Sequence, residues 1–178
     1  MNIYAAIKEG SKILKKSDIK SPDLDCEILL AKVIKKQREY LMLNLDKQLN
    51  KENLKIFKDL INQRSTGKPI AYLIKKKSFW DSEFIIEEGT LIPRPDTEIL
   101  IGATLEIYKN KDYANILDIG VGSGCIILSI LKEKPCFYGR GIDISSKSIS
   151  LSNRNAKKLS IENRVKFIKT DVDNFCIG

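Results

Sequence analysis

The sequence predicts an α/β protein in which a small helical bundle precedes a sheet of parallel strands. Three observations carry this. Through residue 77, apolar residues recur at helical spacing. From Asn115 onward the pattern runs strand, helix, strand, helix, strand, the order of parallel β-α-β units. Between the first of those strands and its helix lies the turn "GVGSG", Gly120 to Gly124.

The helical part comes first. In "NIYAAIKEGSKILKK", Ile3, Ile7 and Leu14 recur near helical spacing. In "SPDLDCEILLAKVIKK", Ser21 can cap and Pro22 suits the first helical position, with Cys26, Leu29, Leu30 and Val33 as the buried face. "REYLMLN" is a short third helix. "NKENLKIFKDLINQRSTGKP" offers Asn50 as a cap and Leu54, Phe57, Leu60 and Ile61 as its apolar face, and Gly67 and Pro69 end it. These elements make a bundle with short connections.

After Lys77 the periodicity changes. "SFWDSEFIIEEGTLI" is aromatic and β-branched, with turn-like residues at Asp81–Ser82 and Gly89, and predicts a short hairpin. In "PRPDTEILIGATLEIY", Asp96 or Thr97 can cap a helix whose apolar face is Ile99, Leu100, Ala103 and Ile107. "NILDI" reads as a buried strand and "SGCIILSILKEK" as a helix stopped by Pro135. "FYGRGIDI" is the second strand, and "SSKSISLSNRNAKKL" is a helix capped by Ser145 or Ser146. "VKFIKTD" is the third strand.

The 178 residues suffice for one ordinary domain or two small ones, and 43% apolar content allows a real core. No apolar run approaches the roughly 18 residues a membrane span needs. The first residues lack the apolar stretch and cleavage site of a signal peptide. A cytoplasmic protein is expected. Cys26, Cys125, Cys136 and Cys176 are far apart, and there is no histidine. Four free thiols, no metal site and a reducing compartment are the expectation. The charge is uneven: residues 1–77 carry 18 Lys+Arg against 9 Asp+Glu, net +9, and the remainder 13 against 14, net −1. Such a surplus can attract RNA or an acidic partner; it can equally be the solvated surface of lysine-rich helices.

Glycines in a strand-to-helix turn let the backbone approach a ligand and leave helix N-terminal N–H groups facing it. The dinucleotide fingerprint G-x-G-x-x-G would need glycine at Cys125. The spacing here is G-x-G-x-G, preceded by Asp118, which suits a ligand without a pyrophosphate. Asp143 ends the second strand, 23 residues after Gly120, where a carboxylate can accept from both hydroxyls of a ribose. Asp171 ends the third. Ligands of open α/β sheets sit outside the carboxyl ends of the strands. Three acids there fit a ligand with an amine and a positive centre. A strand-end aspartate also serves as a plain helix cap. The combination points to S-adenosyl-L-methionine (SAM).

These residues resemble a known family. "TLIPRPDTE" (Thr90–Glu98), "ILDIGVGSG" (Ile116–Gly124), "GIDIS" (Gly141–Ser145) and "NRNAKKL" (Asn153–Leu159) are similar to the HemK/PrmC methyltransferases. Those enzymes modify the glutamine of the Gly-Gly-Gln loop in peptide chain release factors. "RSTGKPIAYL" (Arg64–Leu73) and Phe79–Trp80 extend the resemblance to the first half. It implies a helical release-factor-docking domain over 1–75 and a β-hairpin linker over 76–92. It also implies the N-terminal part of a Rossmann-like class I SAM-dependent methyltransferase domain over 93–178. Gly120, Val121, Gly122, Ser123 and Gly124, with Asp118, would wrap the methionyl part of the cofactor. Asp143 would hold the ribose, and Asp171 and Val172 fall where the family contacts the adenine. The family often carries an aromatic at the place of Val172, so the chain departs from it there. Pro93, Arg94, Pro95, Asp96, Thr97 and Glu98 form the active-site signature. An Arg94–Glu98 ion pair at i, i+4 would be the purely structural alternative.

The family's Asn-Pro-Pro-Tyr motif, which orients the glutamine amide, does not occur in the 178 residues. No catalytic residue is therefore assigned. The chain is expected to be a fragment with little turnover by itself, with "NILDI" left at a sheet edge and apolar surface exposed. Two alternatives stay open: a non-catalytic module binding release factor or RNA, and a methyltransferase acting on another protein or RNA.

Overall fold

The structure is a computed structural model and describes residues 1–175. Cys176, the fourth expected thiol, lies outside the described residues. The chain divides into two compact units, Met1–Ile74 and Lys75–Gly178.

The first unit holds five helices: α1 (Ile3–Lys16), α2 (Pro22–Ile34), α3 (Arg38–Leu43), α4 (Lys51–Ser65) and α5 (Ile70–Ile74). Asn2 and Asn50 cap α1 and α4, their side chains accepting from the N–H groups of Ala5 and Asn53. Ser21 sits at the start of α2 without capping it; its hydroxyl donates to Asp25 at 3.0 Å instead. Ile3, Leu14, Cys26, Leu29, Leu30, Phe57 and Ile61 form the core, and Ile7, Val33, Leu54 and Leu60 pack partly against it. Residues 70–74, to which the sequence pattern assigns no element, coil into α5, whose Leu73 joins the core.

The second unit opens with an antiparallel hairpin, β1 (Lys76–Phe79) and β2 (Ser82–Ile85). Its strands join through Trp80 and Asp81, with Trp80 in the left-handed region at φ 51°. The turn thus falls one residue earlier than the expected Asp81–Ser82. A 3-10 turn over Pro95–Thr97 leads into α6 (Glu98–Ile107), and neither Asp96 nor Thr97 provides a side-chain cap.

The face predicted for α6 is overturned. Ile99, Leu100 and Ile107 are 75%, 53% and 76% exposed, Ala103 is exposed too, and Ile101 is the buried residue. The helix is apolar on nearly every side, so periodicity alone could not choose the packed face.

Then follow β3 (Asn115–Ile119), α7 (Cys125–Glu133), β4 (Tyr138–Asp143), α8 (Ser146–Lys158) and β5 (Val165–Lys169). The three strands are parallel in the order β3-β4-β5. Ser145 caps α8, its hydroxyl accepting from the Ser148 N–H. Among the described residues β3 is an edge, half-covered rather than buried, with Ile119 57% exposed.

Gly141 fixes how tightly the sheet packs. A Cβ there would lie 2.7 Å from the Phe167 ring and 2.8 Å from Val121. Gly141→Ala is expected to cost about 1–3 kcal/mol by overpacking, read as a lower denaturant midpoint. A loss below about 0.5 kcal/mol would contradict this packing account.

Candidate functional site

The glycine turn leaves β3 with three left-handed residues, Gly120, Gly122 and Gly124, at φ 74°, 56° and 80°. A side chain at any of them would strain the backbone. The turn is pinned to the neighbouring strand. The N–H groups of Gly120 and Val121 both donate to the Ile142 carbonyl, at 2.9 and 3.0 Å. Gly122 N–H donates to Asp143 Oδ2 at 3.0 Å, and Gly124 N–H closes onto the Val121 carbonyl at 2.8 Å. The Asp143 carboxylate takes a second N–H, from Ser145, on Oδ1 at 2.8 Å. It is held rigidly beside the turn, and each oxygen retains accepting capacity.

Asp118 is opposite Gly141 in the β3–β4 register. Burial holds its carboxyl up at about 6, and the nearby Asp143 charge pushes the same way, while the Ile127 N–H in the first turn of α7 pulls against them. Its Oδ2 is buried without a hydrogen-bond partner, as is the Ser123 hydroxyl. Two orphaned polar groups at one turn are unusual in a folded protein, where buried polar atoms are nearly always paired. Burial also raises the Cys125 thiol to about 11, so it stays neutral.

Asp171 and Val172 follow β5. Thr170 N–H donates to the Asp143 carbonyl, which brings the β5 end beside the β4 end. Asp171 caps the 3-10 turn Val172–Asn174 by accepting from Asp173 N–H, and Val172 is 48% exposed. Asp118, Gly120–Gly124 and Asp143 therefore meet at one place, with Asp171 and Val172 at the next strand end.

The signature stretch is arranged differently. Pro93 is buried, while Arg94, Pro95 and Asp96 are exposed. Glu98 makes no ion pair with Arg94; its carboxylate accepts the Trp80 N–H at 2.8 Å and so fixes the hairpin turn. Sequence reasoning missed Asn155, which is wholly buried and bonded to the turn. An asparagine on the same face of α8 as Leu151, Ser152 and Ala156 was the available signal.

A separate concavity of ≈ 560 Å³, lined among others by Tyr113, Asn115, Leu117, Tyr138 and Lys166, opens at the amino-terminal halves of the strands. Ligands of such sheets bind at the carboxyl ends, which separates this concavity from the glycine turn.

Comparison with known proteins gives residues 5–74 as a match to the PrmC N-terminal domain and residues 110–176 as a match to a methyltransferase domain. The release factor glutamine methyltransferase of Buchnera aphidicola subsp. Baizongia pistaciae is 42% identical over 163 residues, covering 92% of this chain and 58% of that protein. Its namesake from Leptospira interrogans is 35% identical, covering 96% and 60%, and that from Clostridium acetobutylicum is 37% identical, covering 97% and 60%. The chain thus spans about three fifths of the length of these curated relatives. By these matches residues 5–74 are similar to a PrmC N-terminal domain and residues 110–176 to a methyltransferase domain.

Proposed function

We propose that the glycine turn binds S-adenosyl-L-methionine. We further propose that the protein methylates the side-chain amide nitrogen of the glutamine in the Gly-Gly-Gln loop of release factors. The observation that carries the first part is the turn itself: three left-handed glycines locked to an anchored Asp143, beside the unpartnered oxygen of Asp118. These residues fit the cofactor. The glycines leave backbone room, Asp143 offers two oriented oxygens to a diol, and Asp118 offers a carboxylate to an ammonium or sulfonium charge. When bound, the cofactor supplies an electrophilic methyl group. The chain's own part is to hold that donor in a fixed orientation, which is where most of the rate gain of a direct transfer arises. Val172, and Pro93 to Glu98, are proposed to border the site.

Calorimetric titration of the chain with S-adenosylhomocysteine tests the cofactor. Binding is expected, with Asp143→Ala weakening it at least about tenfold, the loss of roughly 1.4 kcal/mol of charge-assisted hydrogen bonding. Absence of heat with the unaltered chain would sink the reading.

Release factor as partner draws support from the names of the relatives and from the PrmC N-terminal domain. It implies a cytoplasmic role in translation termination, with the methyltransferase part on a Rossmann-like sheet. No helix among the described residues is long and apolar enough to cross a membrane. A pull-down of purified release factor by the chain should succeed. Capture of RNA instead, lost steeply as salt rises, would favour an RNA partner for the basic first unit.

A further inference from the structure

Asn155 is 0% exposed and spends its whole side chain on two backbone segments distant in sequence. Its Oδ1 accepts the Ile85 N–H at 2.7 Å. Its Nδ2 donates to the Ile85 carbonyl at 3.1 Å and to the Ser123 carbonyl at 2.9 Å. To Ile85 it therefore behaves as a neighbouring strand residue would, exchanging both bonds with the outer side of β2. To Ser123 it is the donor that turns the carbonyl inward. That carbonyl lies between two left-handed glycines, Gly122 and Gly124, whose freedom would let the intervening peptide rotate. With the carbonyl held inside, the acceptor is kept out of the space where the ligand approaches.

We infer that Asn155 is a positioning residue for the glycine turn, clipping it to β2 so that the hairpin and the cofactor turn form one mechanical unit. The role in binding rests on the cofactor reading above; the clip does not. Glu98 fastens the other end of the same hairpin at Trp80, so the signature stretch, the hairpin and the turn are joined by two side chains.

The test has two readouts on the 178-residue chain. Asn155→Ala is compared with Phe137→Leu, a core change in the same unit at a residue 1% exposed and outside the turn. In titration with S-adenosylhomocysteine, Asn155→Ala is expected to weaken binding at least tenfold, and Phe137→Leu to stay within twofold of the unaltered chain. In hydrogen exchange, the Gly122 and Gly124 amides, which donate to Asp143 and Val121 rather than to Asn155, are expected to exchange faster only in Asn155→Ala. Equal effects of the two substitutions on either readout, or no effect of Asn155→Ala, overturn the inference. If the unaltered chain takes up no S-adenosylhomocysteine, the cofactor reading falls and the exchange data alone decide the clip. Asn155→Ser, which keeps a small polar group, gives the same readouts should the alanine variant not fold.

Discussion

Arg64→Ala is expected to destabilise the helical unit by about 3–5 kcal/mol, the usual cost of stranding one member of a buried ion pair. The side chains of Arg64 and Asp25 are 15% and 5% exposed, and Arg64 Nε donates to Asp25 Oδ2 at 2.7 Å. Arg64 Nη1 also donates to the Lys68 carbonyl at 3.0 Å, and Ser21 satisfies the other oxygen of Asp25. One guanidinium thus joins α2, α4 and the turn before α5. Its removal leaves a buried carboxylate with one hydroxyl donor. Urea unfolding should show the midpoint falling with little change in slope. Replacing both partners together, as Asp25→Leu with Arg64→Met, should recover part of the loss, because no charge is then stranded. A loss below about 1 kcal/mol for Arg64→Ala would place the pair among exposed bridges of small worth.

Asp118→Asn is expected to do the opposite and stabilise the ligand-free protein by about 2–3 kcal/mol at pH 7.5. The carboxyl titrates at about 6 in the fold against an ordinary 3.8. Roughly two pH units correspond to about 3 kcal/mol. The sign follows from proton binding. Between pH 4 and 6 the folded chain holds a proton that the unfolded chain has released. Stability therefore falls as pH rises through that window, and the full cost persists above it. The asparagine variant should lack this slope and lose affinity for S-adenosylhomocysteine. Thermal melts at pH 4.5 and 7.5 decide it: an unaltered pH slope, or no gain at pH 7.5, would mean that Asp118 is not held at a cost. A destabilised carboxylate at the proposed binding turn is the expected trade of stability for function.

Much of the fold was legible because local chemistry and tertiary packing agreed. Asn50 and Ser145 cap the helices they precede, and Pro22 opens α2. The glycine spacing and the strand-end acids located one convergent corner, since strand ends and turns are set by neighbouring residues. The failures share another cause. The packed side of α6 depends on which neighbour arrives, and a helix apolar on nearly every side carries no record of that. Glu98 bonds Trp80, 18 residues away, and Asn155 bonds Ile85, 70 residues away. Such pairings are written in no local period. Asn155 was visible only as an asparagine on the buried face of α8, beside Leu151, Ser152 and Ala156.

Among the described residues, the outer side of β3 presents a row of peptide groups with no neighbouring strand, and its last residue, Ile119, is 57% exposed. A rim of that kind is a growth front: any extended segment that reaches it finds hydrogen bonds waiting. Yield of the chain in solution should therefore depend on how dilute it is kept.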